Sequence, residues 1–166
     1  MSIFLLPEFT YDRAPLLQYA LNQTNWDSNP IMPGVFSPQW GETTENIDPI
    51  FDEIRQKFKD QSIVIGACFM RIKPNWTMPM HIDPNRLIGV NLPLTQSLSN
   101  GGVDIYNKGG VVSKFYTDCT YIIDTSSPHG AHNITDEENI FLSLSFKKDI
   151  GFTEIVEWQI NGELLQ

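Results

Sequence analysis

The spacing of apolar residues divides the chain into a helical first part and a longer part with the alternation of strands. Residues 12–22 begin with Asp12, a suitable N-cap, and continue with an apolar stripe formed by Leu16, Leu17, Tyr19, Ala20 and Leu21. In residues 48–59 the apolar side chains recur every three or four positions and share one helical face: Ile50, Phe51, Ile54 and Phe58. The pattern therefore predicts two helices before residue 60.

After residue 60 the pattern is typical of short strands. We predict strands at 62–72, 86–94, 102–107, 111–117, 120–124, 140–146 and 153–160. The sequence Lys108-Gly109-Gly110 between two of them is a hairpin signal. Within 140–146 the even positions are apolar and the odd positions are polar after Phe141, so this strand should have two different faces.

Many short strands separated by turns that contain glycine and proline favour a sandwich or barrel, with the helices covering one sheet. A chain of 166 residues suits a single domain with its own core. We therefore expect one mainly β domain over 1–166, in which 1–60 gives helical and loop support and 61–166 forms the β core.

The segment 23–46 is long and polar, with Trp26, Phe36 and Trp40 placed along it. Long ordered loops usually have a functional role, and aromatic residues can anchor them. We predict a loop here, and it is a candidate lid.

Composition and charge exclude several classes of protein. Hydrophobic residues make up 41% of the chain and charged residues 19%, which is typical of a globular protein. The net charge of −9 argues against sequence-independent binding of nucleic acid, which needs a basic surface. No apolar run approaches the roughly 20 residues of a membrane span. The first residues lack the basic region and the long apolar stretch of a signal peptide.

The cysteine content agrees with a cytoplasmic protein. Cys68 falls in a predicted strand and Cys119 directly before one, and neither has the close Cys or His neighbour expected of a zinc site. We expect two buried free thiols in a reducing compartment; the alternative is one disulfide.

The three histidines of the chain all lie in two short segments, His81-Ile82-Asp83 and His129-Gly130-Ala131-His132. Two imidazoles and one carboxylate can occupy three neighbouring corners of an iron(II) octahedron and leave the others free. His81 and Asp83 are two residues apart and can point the same way. Either His129 or His132 can supply the third ligand, from a distant part of the fold. The alternative for Asp83 is a structural turn with Pro84 and Asn85.

Both segments resemble the double-stranded β-helix oxygenases that use iron(II) and 2-oxoglutarate. Residues 79–94 (PMHIDPNRLIGVNLPL) resemble the segment with the first metal histidine, and residues 123–137 (IDTSSPHGAHNITDE) resemble the distal segment. The likeness is greatest to the aspartyl/asparaginyl β-hydroxylase branch and its small bacterial and phage relatives. It implies a jelly-roll, cupin-like barrel and hydroxylation of an amino-acid or peptide side chain with O2.

The resemblance also chooses between the two distal histidines. His129 precedes Asn133 by the spacing of the family, so the resemblance implies that His81, Asp83 and His129 hold the metal. His132, with Asn133, is then left as a group that supports the ligands or faces the substrate. Beside His81, Trp76 can form part of an apolar pocket wall or belong to the core.

The chain departs from the family where the co-substrate binds. The arginine that usually follows the second histidine by about ten residues is replaced by Asn139, and no arginine occurs after Arg86. A carboxylate prefers a forked cationic donor. We therefore expect Arg86 to replace the missing arginine, with hydrogen bonds from Asn91 and Ser143 and with Asn139 at the position of the family's arginine.

These observations predict an Fe(II)/2-oxoglutarate-dependent hydroxylase with a small-molecule or peptide substrate, located in the cytoplasm and bound neither to nucleic acid nor to a membrane. The missing arginine favours an alternative, a cupin-type metalloprotein that does not use 2-oxoglutarate. A non-catalytic protein with a remnant of the metal site is the third candidate.

Overall fold

The computed structural model describes residues 2–23, 26–28, 35–37, 51–95, 101–106, 112–115 and 118–166. Its helices are α1 Arg13–Asn22, α2 Asp52–Arg55 and α3 Phe152–Ile160, with a 3₁₀ turn at Gln61–Ile63. Its strands are β1 Ile3–Leu6, β2 Asp27–Ser28, β3 Val35–Ser37, β4 Val64–Ile72, β5 Trp76–His81, β6 Ile88–Pro93, β7 Gly101–Tyr106, β8 Val112–Phe115, β9 Thr120–Asp124, β10 His129–Asn133 and β11 Asn139–Phe146.

The strands form two sheets with the connectivity of a jelly roll. The larger sheet has the order β1-β9-β6-β11-β4-β3-β2 and the smaller sheet the order β5-β10-β7-β8. From β4 onward the chain repeatedly crosses between the sheets, so that β4 pairs with β11 and β5 with β10. This interleaved antiparallel pairing is that of a double-stranded β-helix. The predicted fold class is confirmed.

Strand alternation gives the larger sheet two chemically different faces. On the helix side, the even residues of β11 join the main core: Ile140, Leu142, Leu144 and Phe146. Burial of each such side chain stabilises the fold by roughly 1.5–3 kcal/mol relative to exposure. The odd residues, including Ser143 and Ser145, lie on the face toward the smaller sheet. The prediction of two faces for 140–146 is therefore confirmed.

The first predicted helix is confirmed and the second is mostly wrong. The side chain of Asp12 caps α1 by accepting a hydrogen bond from the N–H of Ala14. The α-helical part of the second helix is only Asp52–Arg55, and residues 48–50 lie outside the described ranges. Beyond residue 56 the backbone pairs with the C-terminus instead, through a bridge between Phe58 and Leu165.

The predicted strand 153–160 is wrong, because this segment forms α3. Its residues favour strands individually, but Phe152, Ile155 and Val156 are spaced to share one helical face. Ile155 is fully buried, and the other two pack against the main core.

Parts of the candidate lid belong to the larger sheet. β2 pairs with β3, and β3 pairs with β4. Trp26 lies under the guanidinium of Arg71, with 4.6 Å between the guanidinium carbon and the ring centroid. The rest of segment 23–46 and the hairpin turn 108–110 lie outside the described residues, so the lid stays a prediction. β7 and β8 do pair antiparallel, as expected of strands that flank a hairpin.

Cys68 and Cys119 are not joined by a disulfide, and both are partly exposed, not buried as predicted. Within the described ranges, every helix is too short or too polar to cross a bilayer. The cytoplasmic location stays a prediction.

Candidate metal centre

Two histidines face each other across a pair of strands. His81 ends β5, His129 begins β10, and the two residues are cross-strand partners. Their ring centroids are 4.3 Å apart. A register shift follows His129 in this pair, and such a bulge re-aims the neighbouring side chains.

Asp83 completes the group from the loop after β5. Its N–H donates to the carbonyl of Thr125 at 3.0 Å, which holds the loop against the end of β9. Oδ1 of Asp83 lies 3.5 Å from Nε2 of His81 and 4.0 Å from Nε2 of His129. One donor atom from each of the three residues lies within 4.8 Å of the others.

Hydrogen bonds to the backbone orient both imidazoles. Nδ1 of His81 lies 2.9 Å from the carbonyl oxygen of Pro79, and Nδ1 of His129 lies 2.9 Å from that of Ser127. A carbonyl only accepts, so each Nδ1 carries the proton and each Nε2 presents its lone pair toward Asp83. Burial lowers the pKa of His129, although the hydrogen bond to the carbonyl of Ser127 acts in the opposite direction. The lowered pKa favours the neutral imidazole, which is the form that binds metals.

The three residues fit an iron(II) ion. At a metal–ligand distance of about 2.1 Å, neighbouring donors of an octahedron lie about 3 Å apart. The two Asp83–imidazole distances exceed that value by only about 0.5–1 Å, and one carboxylate with two imidazoles is the ligand set of non-haem iron sites. The triad can therefore hold iron, and the fold supplies its residues from the end of β5, the loop that follows it and the start of β10.

Arg86 holds the other oxygen of the Asp83 carboxylate. Its Nε donates to Oδ2 of Asp83 at 2.6 Å, and its Nη1 donates to Oγ of Ser143 at 2.8 Å. Gly89 leaves the space for this side chain, because an added Cβ would meet Nη1 at 3.1 Å and Cζ at 3.3 Å. Arg86 therefore connects a metal ligand to the inner face of β11.

A cavity of about 390 Å³ extends from the triad between the two sheets. Its polar lining includes Arg86 together with Asn91 and Tyr121, which are partners across β6 and β9. Ser143 is fully buried and does not line the cavity; it supports Arg86 from β11. The volume is in the range of small-molecule sites.

Tyr121 is a site residue that the motifs do not identify. Burial raises the pKa of its phenol, which is hydrogen-bonded with the side chain of Asn91, so the phenol stays protonated near neutral pH. Oδ1 of Asn91 is buried and has no partner within the described structure. The alternation within 120–124 puts Tyr121 and Ile123 on one face, and this is the signal that could have found it.

Besides Ser143, four of the predicted site residues do not line the cavity. His132 is on the opposite face of β10 from Ala131, and its Nδ1 lies 2.9 Å from Oδ1 of the buried Asp104. Asn139 accepts a hydrogen bond from Thr95. Two others, Trp76 and Asn133, also lie away from the cavity.

Trp76 and Asn133 both have contacts that stabilise the fold. Trp76 packs against the cluster of Met70 and Met78. The side-chain amide of Asn133 donates to the carbonyls of Ile72, Lys73 and Glu137 and so joins the ends of three segments.

Solved structures with this fold include oxygenases. Prolyl-4-hydroxylase from Pseudomonas putida gives a TM-score of 0.60 at 12% identity, over 89% of this chain and 92% of that one. A 2OG-Fe(II) oxygenase family oxidoreductase from Burkholderia pseudomallei gives 0.59 at 12% identity, over 92% and 87%. HygX from Streptomyces hygroscopicus, with nickel, 2-oxoglutarate and hygromycin B bound, gives 0.61 at 10% identity, over 90% and 84%.

At these identities the likeness shows a shared fold across most of the chain. No family model and no curated protein matches the sequence. The neighbours agree with the oxygenase fold predicted from the two motifs, and the aspartyl/asparaginyl branch stays a prediction.

Proposed function

We propose that this protein is an Fe(II)- and 2-oxoglutarate-dependent oxygenase that hydroxylates an unactivated C–H bond of an amino-acid or peptide side chain. The observation that carries the proposal is the convergence of His81, Asp83 and His129 at the mouth of a cavity inside a jelly roll. Bound iron would supply the activation of O2 that is coupled to oxidative decarboxylation of 2-oxoglutarate.

The protein's own part is to fix three donors in position. The carbonyls of Pro79 and Ser127 hold the two histidines in the tautomer that binds metals. Arg86 binds Oδ2 of Asp83 and leaves Oδ1 directed toward the imidazoles. Such support of metal ligands typically affects metal affinity by 10–100-fold.

Arg86, Tyr121 and Asn91 form the proposed anchor for the distal carboxylate of 2-oxoglutarate. A guanidinium has five N–H donors, and Arg86 uses two of them on Asp83 and Ser143. The protonated phenol of Tyr121 and the amide of Asn91 add neutral donors beside it. Ser143 fixes Arg86 and does not itself touch the co-substrate. Asn139 takes no part in this proposal, because it is bonded to Thr95.

A cupin-type metalloprotein that does not use 2-oxoglutarate remains the second candidate. The observation in its favour is that Arg86, the one Lys or Arg among the described residues that line the cavity, already pairs with Asp83. Whether 2-oxoglutarate binds therefore separates the two functions.

Anaerobic titration tests the proposal. Iron(II) is added to the metal-free protein, followed by 2-oxoglutarate, and the weak visible charge-transfer band of a chelated keto acid is recorded. We expect the band in the wild type. We expect Arg86→Gln, at saturating iron, to need at least about tenfold more 2-oxoglutarate, since a charge-assisted pair is lost.

The outcomes separate the candidates. Iron binding without the band would reject 2-oxoglutarate and favour the cupin-type protein. No iron binding by a folded chain would reject both. Trp76→Phe serves as a control, because Trp76 lies outside the cavity lining, and it should leave the titration unchanged.

A further inference from the structure

The cavity beside the metal triad has two chemically different sides. The side formed by β6, β9 and the loop before β6 carries the polar groups of Arg86, Asn91 and Tyr121, together with the apolar Ile123. The other side, formed by β4, β5, β10 and β11, presents mainly sulfur and hydrocarbon groups beside the hydroxyl of Ser145: Cys68, Met70, Met78, Ala131 and Phe141. With the co-substrate on the polar side, the apolar side is left for the second substrate.

The apolar lining continues to the rim of the cavity. Ile65 and Ile82 both line the cavity and are 44% and 53% exposed. Ile65 is the additional residue at the register shift where Ser145 pairs with Gly66 and Phe146 with Val64, and such a bulge redirects a side chain. Exposed apolar groups around a cavity are typical of surfaces that bind an apolar ligand.

Charges in the described lining are already matched. Asp83 and Arg86 hold each other, and both sit at the triad. A charged substrate group on the apolar side would lose its hydration without gaining an opposite charge from the described residues. Its transfer into this side of the cavity would therefore be unfavourable.

We infer that the group hydroxylated is an uncharged apolar side chain, of the size of leucine or methionine. This inference rests on the proposed function and differs from the aspartyl/asparaginyl branch that the sequence resemblance predicts, because an aspartyl or asparaginyl side chain does not suit this lining. In the reaction, one atom of O2 enters the C–H bond to give C–OH and the other enters succinate. The keto acid loses CO2. The keto acid and the C–H bond each give up two electrons, and O2 accepts these four electrons.

The inference is tested by binding to the iron-free protein labelled with ¹³C at the methionine methyl groups. N-acetyl-leucinamide and N-acetyl-asparaginamide have side chains of nearly the same shape and differ in polarity. We expect the leucine probe to shift the signals of Met70 and Met78 and to bind at least about tenfold more tightly than the asparagine probe. The signal of Met80, which is 57% exposed and does not line the cavity, is the internal control.

Equal or tighter binding of the asparagine probe would overturn the inference, and so would the absence of any shift at Met70 and Met78. This readout needs neither iron nor 2-oxoglutarate. The substrate inference can therefore fail while the proposed function stands, and the proposed function can fail while the leucine probe still binds. Met78→Glu should abolish the preference for leucine, and Met78→Leu should retain it. In turnover assays we expect leucine peptides, and not asparagine peptides, to increase succinate formation and to gain one oxygen atom.

Discussion

Arg86 connects the proposed metal site with the proposed co-substrate site. Its Nε bonds to the carboxylate of Asp83, and its Nη1 bonds to Ser143 on the inner face of the larger sheet. A shift of this one side chain would therefore disturb both the ligand carboxylate and the proposed carboxylate anchor. Its position depends on the empty space above Gly89.

Gly89→Ala tests this dependence. The added methyl group would approach the Arg86 guanidinium to about 3.1–3.3 Å, so the side chain must move by a few tenths of an ångström. We expect roughly tenfold weaker binding of 2-oxoglutarate at saturating iron, because the charge-assisted bonds of Arg86 are strained. Fluorescence or absorbance titration measures the change.

Gly151→Ala is the matched control, because nothing lies within 4 Å of the Cβ that it adds. It should leave 2-oxoglutarate affinity unchanged. If both alanine variants bind 2-oxoglutarate as tightly as the wild type, Arg86 does not anchor the co-substrate.

At the residue scale, the sequence was sufficient to select the three residues that the structure brings together as a possible metal site, and insufficient for their surroundings. Three histidines in two segments narrow the choice of ligands, and the spacing to Asn133 favours His129. The support of Arg86 by Ser143 joins residues 57 positions apart, so no local pattern contains it. Tyr121 has no motif at all, and only the pairing of β9 with β6 brings it to the cavity.

At the element scale, the two strands with the histidines are among those that the pattern does not predict. Pro79 in β5 and Gly130 in β10 interrupt the alternation of these short strands, and the pair contains a bulge. The opposite error occurs at α3, where residues that favour strands form a helix. Tertiary packing of Ile155 into the main core outweighs its intrinsic preference.

A pair of substitutions in α3 tests its packing. Ile155 is fully buried, whereas Ile160, in the same helix, is 70% exposed. We expect Ile155→Ala to lower the free energy of unfolding by about 2–5 kcal/mol, through lost burial and a cavity. Ile160→Ala should change it by no more than about 0.5 kcal/mol. Urea denaturation followed by circular dichroism gives both values, and similar losses for the two variants would contradict the packing of α3.

At the scale of the whole molecule, the jelly roll explains why remote segments form one site. The two-motif resemblance predicted this architecture, but hydrophobic periodicity alone left sandwich and barrel open. The decisive pairings, β4 with β11 and β5 with β10, join the beginning and end of the β core. Local patterns do not encode such pairings, because they depend on which strands meet after collapse.

The two faces of the larger sheet have different roles in the whole molecule. Its helix side contributes the core that gives stability, and its inner side contributes both polar and apolar groups to the lining of the cavity. The chain can therefore depart at Asn139 from the pattern of the family that it resembles without loss of the fold. The fold is accordingly a weaker guide to the substrate than the lining of the cavity.

The central claim is that His81, Asp83 and His129 hold iron, and anaerobic iron(II) binding measured on matched variants tests it most directly. We expect about one bound iron per chain in the wild type and in His132→Asn, and we expect His129→Asn to lose iron. Thermal unfolding of His132→Asn checks that this variant is folded. His132 is the suitable comparison, because it lies on the same strand and faces away from the cavity. Iron retained by His129→Asn and lost by a folded His132→Asn would contradict the account.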